Sequence, residues 1–369
     1  MRPGNNGLAV RPGGRVIAVQ PRNSAGTKWP LVAACRARAS WRSLGSGGQN
    51  AHVTDAFDPL WLRPDASLNR TRLAALPGAE PAWVGRRAFD LLGRDALRQL
   101  AKEVSDGAAA DIFGRRLGHL IATLHAGADA DETQSRWRRA YMAYWSTVEH
   151  VWLGGGLASA LGPRLLAAAR SEATRLGARR PSIELASYPA ALPLVGAARS
   201  NVSATERAVV LDFGHTAIKR GVAIFSGRAL DALKLLDPLP GPTPGSVVDV
   251  VLEVTAETLR AAGPDVDRLV VVSLASYVER SGRPVDSHSV YAPLGAFAPN
   301  DLQQALRRRT TSAVRLRLAH DGTLAARGVV DTTGRAAAIM LGTALGVGFC
   351  PTAGHLRPLA RSFSVRGSA

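Results

Sequence analysis

The stretch DFGHTAIKRG, beginning at Asp212, brings four chemically distinct groups together: Asp212, Gly214, Thr216 and Lys219. Asp212 closes an apolar run. Gly214 lets the turn that follows bring its backbone N–H groups close to a ligand. Thr216 adds a hydroxyl, and Lys219 adds a cation on the returning strand. Successive amides with a cation suit a phosphate, and a carboxylate beside them suits Mg2+, so Asp212 is the candidate metal ligand. The competing reading is a hairpin whose glycine only makes the turn. A second segment, LGTALGVGF, repeats the theme with Gly342, Thr343 and Gly346, and could equally be a glycine-rich core hairpin. In HDGTLAARG, Asp321 stands where a strand ends and a helix begins. It can cap that helix, or take the proton from an attacking hydroxyl as kinase chemistry requires, and the two roles are compatible. A third glycine cluster, Gly154, Gly155 and Gly156, follows the apolar VWL. Bare backbone there would let a flat base or ribose lie close; otherwise it is a loose loop.

These residues need elements to hold them. Helical spacing runs from about 86 to 146: Phe89, Leu92, Leu97, Leu100 and Val104 in the first stretch, then Ile112, Leu117, Leu120, Ile121 and Leu124. RWRRAYMAYWSTVEH makes a third helical stretch. VWL is a short strand, LGPRLLAAARSEATRLGA a helix, SIELASYP a strand and ALPLVGAARS a short helix. RSNVSATE, 199–206, is polar and is the best linker in the chain. After it AVVLDFG, AIKRGVAIF and ALDALKLLDPL form a meander, followed by helix VVDVVLEVTAETLRAAG and the buried strand RLVVVSLA. NDLQQALRRRT is a helix, VRLRLAH a strand, GTLAARGVV a helix and AAAIMLGTALGVGF a hairpin. The pattern is α/β with mixed sheets.

At 369 residues the chain has room for two domains. Its net charge of +17 invites a nucleic-acid partner. The make-up of that charge argues otherwise. Four of the 46 basic residues are lysines and 42 are arginines, which points to an arginine-favouring composition. The arginines are scattered, and Trp41 and Trp137 are the only aromatics among their denser groups, too few for a stacking platform. We therefore expect no nucleic-acid partner. Cys35 and Cys350 have no ligand-like spacing, which fits a reducing cytoplasm. No apolar span reaches the ~18 residues of a membrane helix, and MRPGNNGLAVRPGGRV has no continuous apolar core for a signal peptide. Residues 1–51 read as an extension that adds one or two strands or stays partly disordered.

Taken together, these motifs resemble the superfamily that joins actin, the heat-shock ATPases and the sugar kinases, and within it the ROK (repressor, open reading frame, kinase) family. DFGHTAIKRG is similar to the first phosphate motif and LGTALGVGF to the second. LAHDGTLAA resembles the family's Asn-Asp segment, and VEHVWLGGGLASALGPRLL its adenosine motif. The resemblance spans roughly 86–355. It implies a two-lobed ribonuclease-H-like fold, ATP and Mg2+ as cofactors, and Asp321 as catalytic base. It further implies His355 and His320 on the acceptor side and a small-molecule acceptor, a sugar by analogy, with a homodimer as one possible assembly. The order of motifs departs from the family, because the adenosine motif precedes the first phosphate motif. That order implies a circular permutant: an adenosine-side lobe of 52–198 plus 336–369, and a phosphate and catalytic lobe of 205–335.

Other departures bear on the acceptor. Thr352 of TAGH stands where the family has a glutamate. The cysteine zinc motif after His355 is missing, as is a sugar-binding asparagine near YAPLGAF, and His320 replaces the asparagine before Asp321. Residues near the N-terminus, such as Asp55 and Asp58, could rebuild the pocket. The leading reading is ATP-dependent phosphoryl transfer to a carbohydrate-like hydroxyl. Competing readings are a non-catalytic nucleotide or sugar sensor with a degenerate pocket, and an acyl-phosphate or polyphosphate enzyme of the same superfamily.

Overall fold

Alternating stretches of β-branched and helix-forming residues fold into two mixed sheets separated by a pair of helices. The computed structural model describes residues 58–367 apart from 74–75, 77–79, 128–134, 179–180, 205, 311–312, 330–333 and 352–355. The expectations for residues 1–51, Asp55, Thr352 and His355 lie outside the described residues. The described residues belong to one compact unit, Thr54–Ala369.

In chain order the regular elements begin with α1 (Ala88–Leu91), α2 (Arg94–Glu103), α3 (Asp106–His125) and α4 (Arg136–Trp145). Next come β1 (His150–Gly154), α5 (Gly156–Arg175), β2 (Ser182–Leu185), α6 (Leu192–Ser200), β3 (Arg207–Phe213), β4 (Ala217–Ser226), β5 (Ala229–Pro240) and α7 (Val247–Ala262). The chain continues through β6 (Leu269–Leu274), α8 (Pro299–Thr310), β7 (Arg315–His320), α9 (Asp321–Gly328), β8 (Ala336–Leu341), β9 (Leu345–Phe349) and β10 (Leu359–Arg366).

The larger sheet has the order β10-β5-β4-β3-β6-β7, and the smaller one β2-β1-β8-β9. The two share one motif. In the larger sheet β3 pairs antiparallel with β4 and parallel with β6, and β6 pairs parallel with β7. In the smaller sheet β8 pairs antiparallel with β9 and parallel with β1, and β1 pairs parallel with β2. Each sheet thus contains a hairpin extended by two parallel strands, and the larger one adds β5 and β10 beyond the hairpin. In the larger sheet the parallel strands follow the hairpin along the chain; in the smaller one they precede it.

Burial explains the strand choices. β6 (LVVVSL) and β8 (AAAIML) lie inside their sheets, covered on both faces, so both read as unbroken apolar runs. Helices α6 and α9 pack between the sheets. Leu194, Val195, Ala197 and Ala198 of α6 and Leu324 of α9 join the core of the larger sheet, while Leu192, Ala325 and Ala326 join Ala338 and Met340 of β8. Gly196 and Gly328 allow this close approach, since a Cβ at either would strike backbone of the other helix. On the outer side of the smaller sheet, α3 and α5 build a core with Phe113, Leu117, Tyr141, Trp145 and Phe349. Ser105 and Ser135 cap α3 and α4 by accepting from the N–H groups of Ala108 and Arg138.

Several expectations need correction. The helical stretch from 86 to 104 breaks at Gly93, whose φ of 106° no helix tolerates. Phe89, expected on its apolar face, is 56% exposed. The hairpin β8–β9 does join β1 and β2, but β10 pairs with β5 in the larger sheet, so 336–369 does not act as one unit. The expected linker is pinned. Asn201 is fully buried and donates to the Leu269 carbonyl, and the Arg357 guanidinium donates to carbonyls of Asn201, Val202, Ala204 and Gly227.

Candidate functional site

The C-terminal ends of the parallel strands and both hairpin turns open onto one cleft of about 220 Å3. From the larger sheet, β3 carries Asp212 as its penultimate residue, and the turn to β4 carries Gly214, His215 and Thr216. Register sets Lys219 of β4 directly opposite Asp212. Its Nζ lies 3.6 Å from Asp212 Oδ2 and donates to the Ala190 carbonyl at 2.7 Å. The Ser273 hydroxyl at the end of β6 donates to Asp212 Oδ1 at 2.7 Å. Asp212 is 6% exposed, with its second oxygen beside the ammonium. Gly214 has an ordinary backbone; a Cβ there would crowd the Ala217 carbonyl at 2.9 Å, so tightness of the turn is what calls for glycine.

From the other side come the tip of the β8–β9 hairpin, with Gly342, Thr343 and Gly346, and the β1–α5 corner, with Gly155 and Gly156. Gly155 has φ 92°, and a Cβ would run into the Leu341 backbone at the end of β8. Two demands, left-handed backbone and strand-to-strand contact, therefore call for glycine at this position. Gly156 starts α5, and nothing stands within 4 Å of its would-be Cβ, which leaves the helix N-terminus open. Gly154 differs from expectation: it lies beneath the cleft against Met340 and Leu192 and does not line it.

Asp321 begins α9 at the end of β7, on the same cleft. Its Oδ1 accepts from its neighbour's N–H, Gly322, at 2.6 Å and lies 3.0 Å from His320 Nε2. Gly346 of the second hairpin packs against it, a Cβ there standing 3.1 Å from Oδ1. Burial, then the nearby Asp212 carboxylate, push the Asp321 carboxyl up to about 7, against the opposing pull of the Gly322 N–H and Lys219. A carboxyl at that value titrates across neutral pH.

His320 also lines the cleft, immediately before Asp321. Burial pushes it down to about 3, so the ring is neutral. It stacks on Tyr277 with centroids 4.5 Å apart, and Nδ1 lies 3.4 Å from the Thr323 hydroxyl. Nε2–H donating to Asp321 and Nδ1 accepting from Thr323 is the tautomer this geometry favours. The ring orients the carboxylate.

No protein-family model and no curated protein sequence matches the chain. Among solved structures it is similar to an inorganic polyphosphate/ATP-glucomannokinase from Arthrobacter sp. strain KM, at 24% identity and a TM-score of 0.31. The match covers 42% of this chain and 62% of that one, so the chain spans less than two thirds of that structure's length.

The cleft also holds residues that motif reading missed. Ser67, Asn69 and Arg94 come from the segment ahead of α3. The Asn69 amide behaves like a strand partner, donating to the Leu345 carbonyl and accepting from its N–H, both at 3.0 Å. Ser276, Tyr277 and Asp286 come from the excursion between β6 and α8. From the same excursion Tyr291 donates to the Gly214 carbonyl at 2.8 Å, clamping the first turn. No periodicity or glycine pattern marks these positions. Asp58 does not reach the cleft; it pairs with Arg280 at 2.8 Å in a separate surface pocket.

Proposed function

We propose that this protein transfers the γ-phosphoryl group of ATP to a hydroxyl of a small carbohydrate-like acceptor. The reading rests on one observation: both glycine hairpin turns, the Asp212–Lys219 pair and the neutral-pH carboxyl of Asp321 face the same cleft. In this reading the amides of the 214–216 and 342–344 turns, with Lys219, hold the ATP phosphates. The α5 N-terminus at Gly155 and Gly156 receives the nucleoside side, its backbone dipole favouring the adjoining negative charge.

The residues fit Mg2+. Asp212 has one oxygen fixed by Ser273, and the repulsion between Asp212 and Asp321 is the field a cation relieves. Among the described residues there is no cluster of three or more potential metal ligands, but Mg2+ is commonly held by one or two carboxylates, waters and the phosphates themselves. Asp212 would hold the ion here, and the ion would supply neutralisation of phosphate charge.

Asp321 accepts the acceptor's hydroxyl proton on its carboxylate. The acceptor oxygen forms the new P–O bond as the bond to the β-phosphate oxygen breaks, leaving ADP. His320 keeps the carboxylate aimed. The chain order is read as a circular permutation, supported by the arrangement of β8–β9 beside β1 and β2. The test is ADP release over a panel of hexoses and amino sugars, with wild type and Asp321→Asn. Turnover by wild type and none by a variant that still binds ATP is the expected result; equal turnover removes Asp321 from the mechanism. ATP binding without turnover by either protein on any acceptor would favour a nucleotide sensor.

A further inference from the structure

The wall of the cleft contains a buried hydroxyl with no partner among the described residues, that of Ser276. The residue is 2% exposed. Its neighbours are spoken for. The Ser273 hydroxyl serves Asp212, and the Tyr277 hydroxyl bonds Ser67. A buried hydroxyl without a partner is a standing cost, and native proteins retain such groups where something else completes the bond. Ser276 lines the cleft together with Asp286, whose Oδ1 takes the His288 N–H and whose other oxygen has no hydrogen-bond partner among the described residues.

Charge limits what can complete that bond. Asp286 and Asp321 both face the cleft, and among its described lining residues the cations are Lys219, drawn to Asp212 and the Ala190 carbonyl, and Arg94. Gly93, next to Arg94, packs against the Thr343 carbonyl, which sets Arg94 by the second hairpin turn. The cations therefore belong with the phosphate turns, while the excursion from 276 to 286 offers a hydroxyl and a carboxylate. That set hydrogen-bonds hydroxyls and ammonium groups and repels phosphate or carboxylate groups.

We propose that Ser276 and Asp286 form the acceptor subsite, and that the acceptor is a polyol without negative charge, neutral or amino-substituted. This inference rests on the kinase reading. The probes are glucose, mannose, glucosamine, myo-inositol, glucose 6-phosphate and gluconate. Binding to the full chain is measured by calorimetry with magnesium and a non-hydrolysable ATP analogue present, and turnover is measured by ADP release. We expect a neutral or amino polyol to bind and the phosphorylated and carboxylated probes not to. Ser276→Ala should weaken that binding 3- to 10-fold, the range for one neutral hydrogen bond, and Asp286→Asn at least as much. Ser276→Ala should leave the affinity for the ATP analogue unchanged and the melting temperature equal or higher, because an unpaired buried hydroxyl is removed.

A lowered melting temperature with unchanged polyol affinity would make Ser276 structural and overturn the proposal. So would tight binding of an anionic probe, or the absence of binding by every neutral and amino polyol. The kinase reading fails separately, if polyols bind as expected but no probe is phosphorylated.

Discussion

A carboxyl displaced as far as that of Asp321 should leave a trace in stability as well as in rate. Raising it from 3.8 to about 7 corresponds to about 4 kcal/mol, at 1.36 kcal/mol per pH unit. The sign is unfavourable to folding. Below pH 3.8 the group is protonated in both states and contributes nothing. Between 3.8 and 7 the unfolded chain releases the proton while the native protein keeps it, so stability falls as pH rises. Above 7 the loss is complete. The side chain is 22% exposed, so 4 kcal/mol is an upper limit. Asp321→Asn removes the charge while its carbonyl can still accept from the Gly322 N–H and His320 Nε2. The ligand-free variant should therefore melt above wild type at pH 8.5, by up to about 8 °C at roughly 2 °C per kcal/mol. The gap should close towards pH 4.5. Thermal melts at four or five pH values decide it, and a gap independent of pH would refute the account of the Asp321 environment. Wild-type turnover should in turn rise through pH 7, as a base at that value requires.

Lys219→Met should abolish the rise in melting temperature caused by ATP with magnesium, because the cation beside Asp212 is gone; an undiminished rise would count against the phosphate reading. Gly155→Ala should destabilise the protein by about 1–3 kcal/mol, since its φ of 92° and its contact with the Leu341 backbone both exclude a Cβ. Denaturant melts measure this, and an unchanged midpoint would mean the corner relaxes freely. Tyr291→Phe leaves the Gly214 carbonyl without its donor. Its cost of about 1 kcal/mol should appear as a several-fold higher KM for ATP, with little change in acceptor KM.

Most of the elements could be read from the sequence because their signals are local. The hairpin β8–β9, the strand–helix junction at Asp321 and the apolar runs of β3 and β6 each announce themselves within about ten residues. The break at Gly93 and the exposure of Phe89 were not legible, since helical spacing persists across a glycine whether or not the helix does. The placement of β10 was equally hidden, because an amphipathic edge strand carries no mark of which edge it joins.

Sequence alone determined the residue types suited to phosphate and protons: a glycine turn flanked by Asp212 and Lys219, a second glycine turn at 342–346, and a carboxylate, Asp321, at a strand–helix junction. Tertiary structure decided how they work together. Packing brought Gly346 against Asp321, buried that carboxyl near Asp212, and set a neutral His320 ring beside it on the same cleft. It also brought Ser276, Asp286, Asn69 and Arg94 to the cleft from segments with no motif. The reason is physical: propensity and periodicity act over a few neighbouring residues, whereas burial, charge coupling and an unpartnered hydroxyl exist only once distant segments share one cleft.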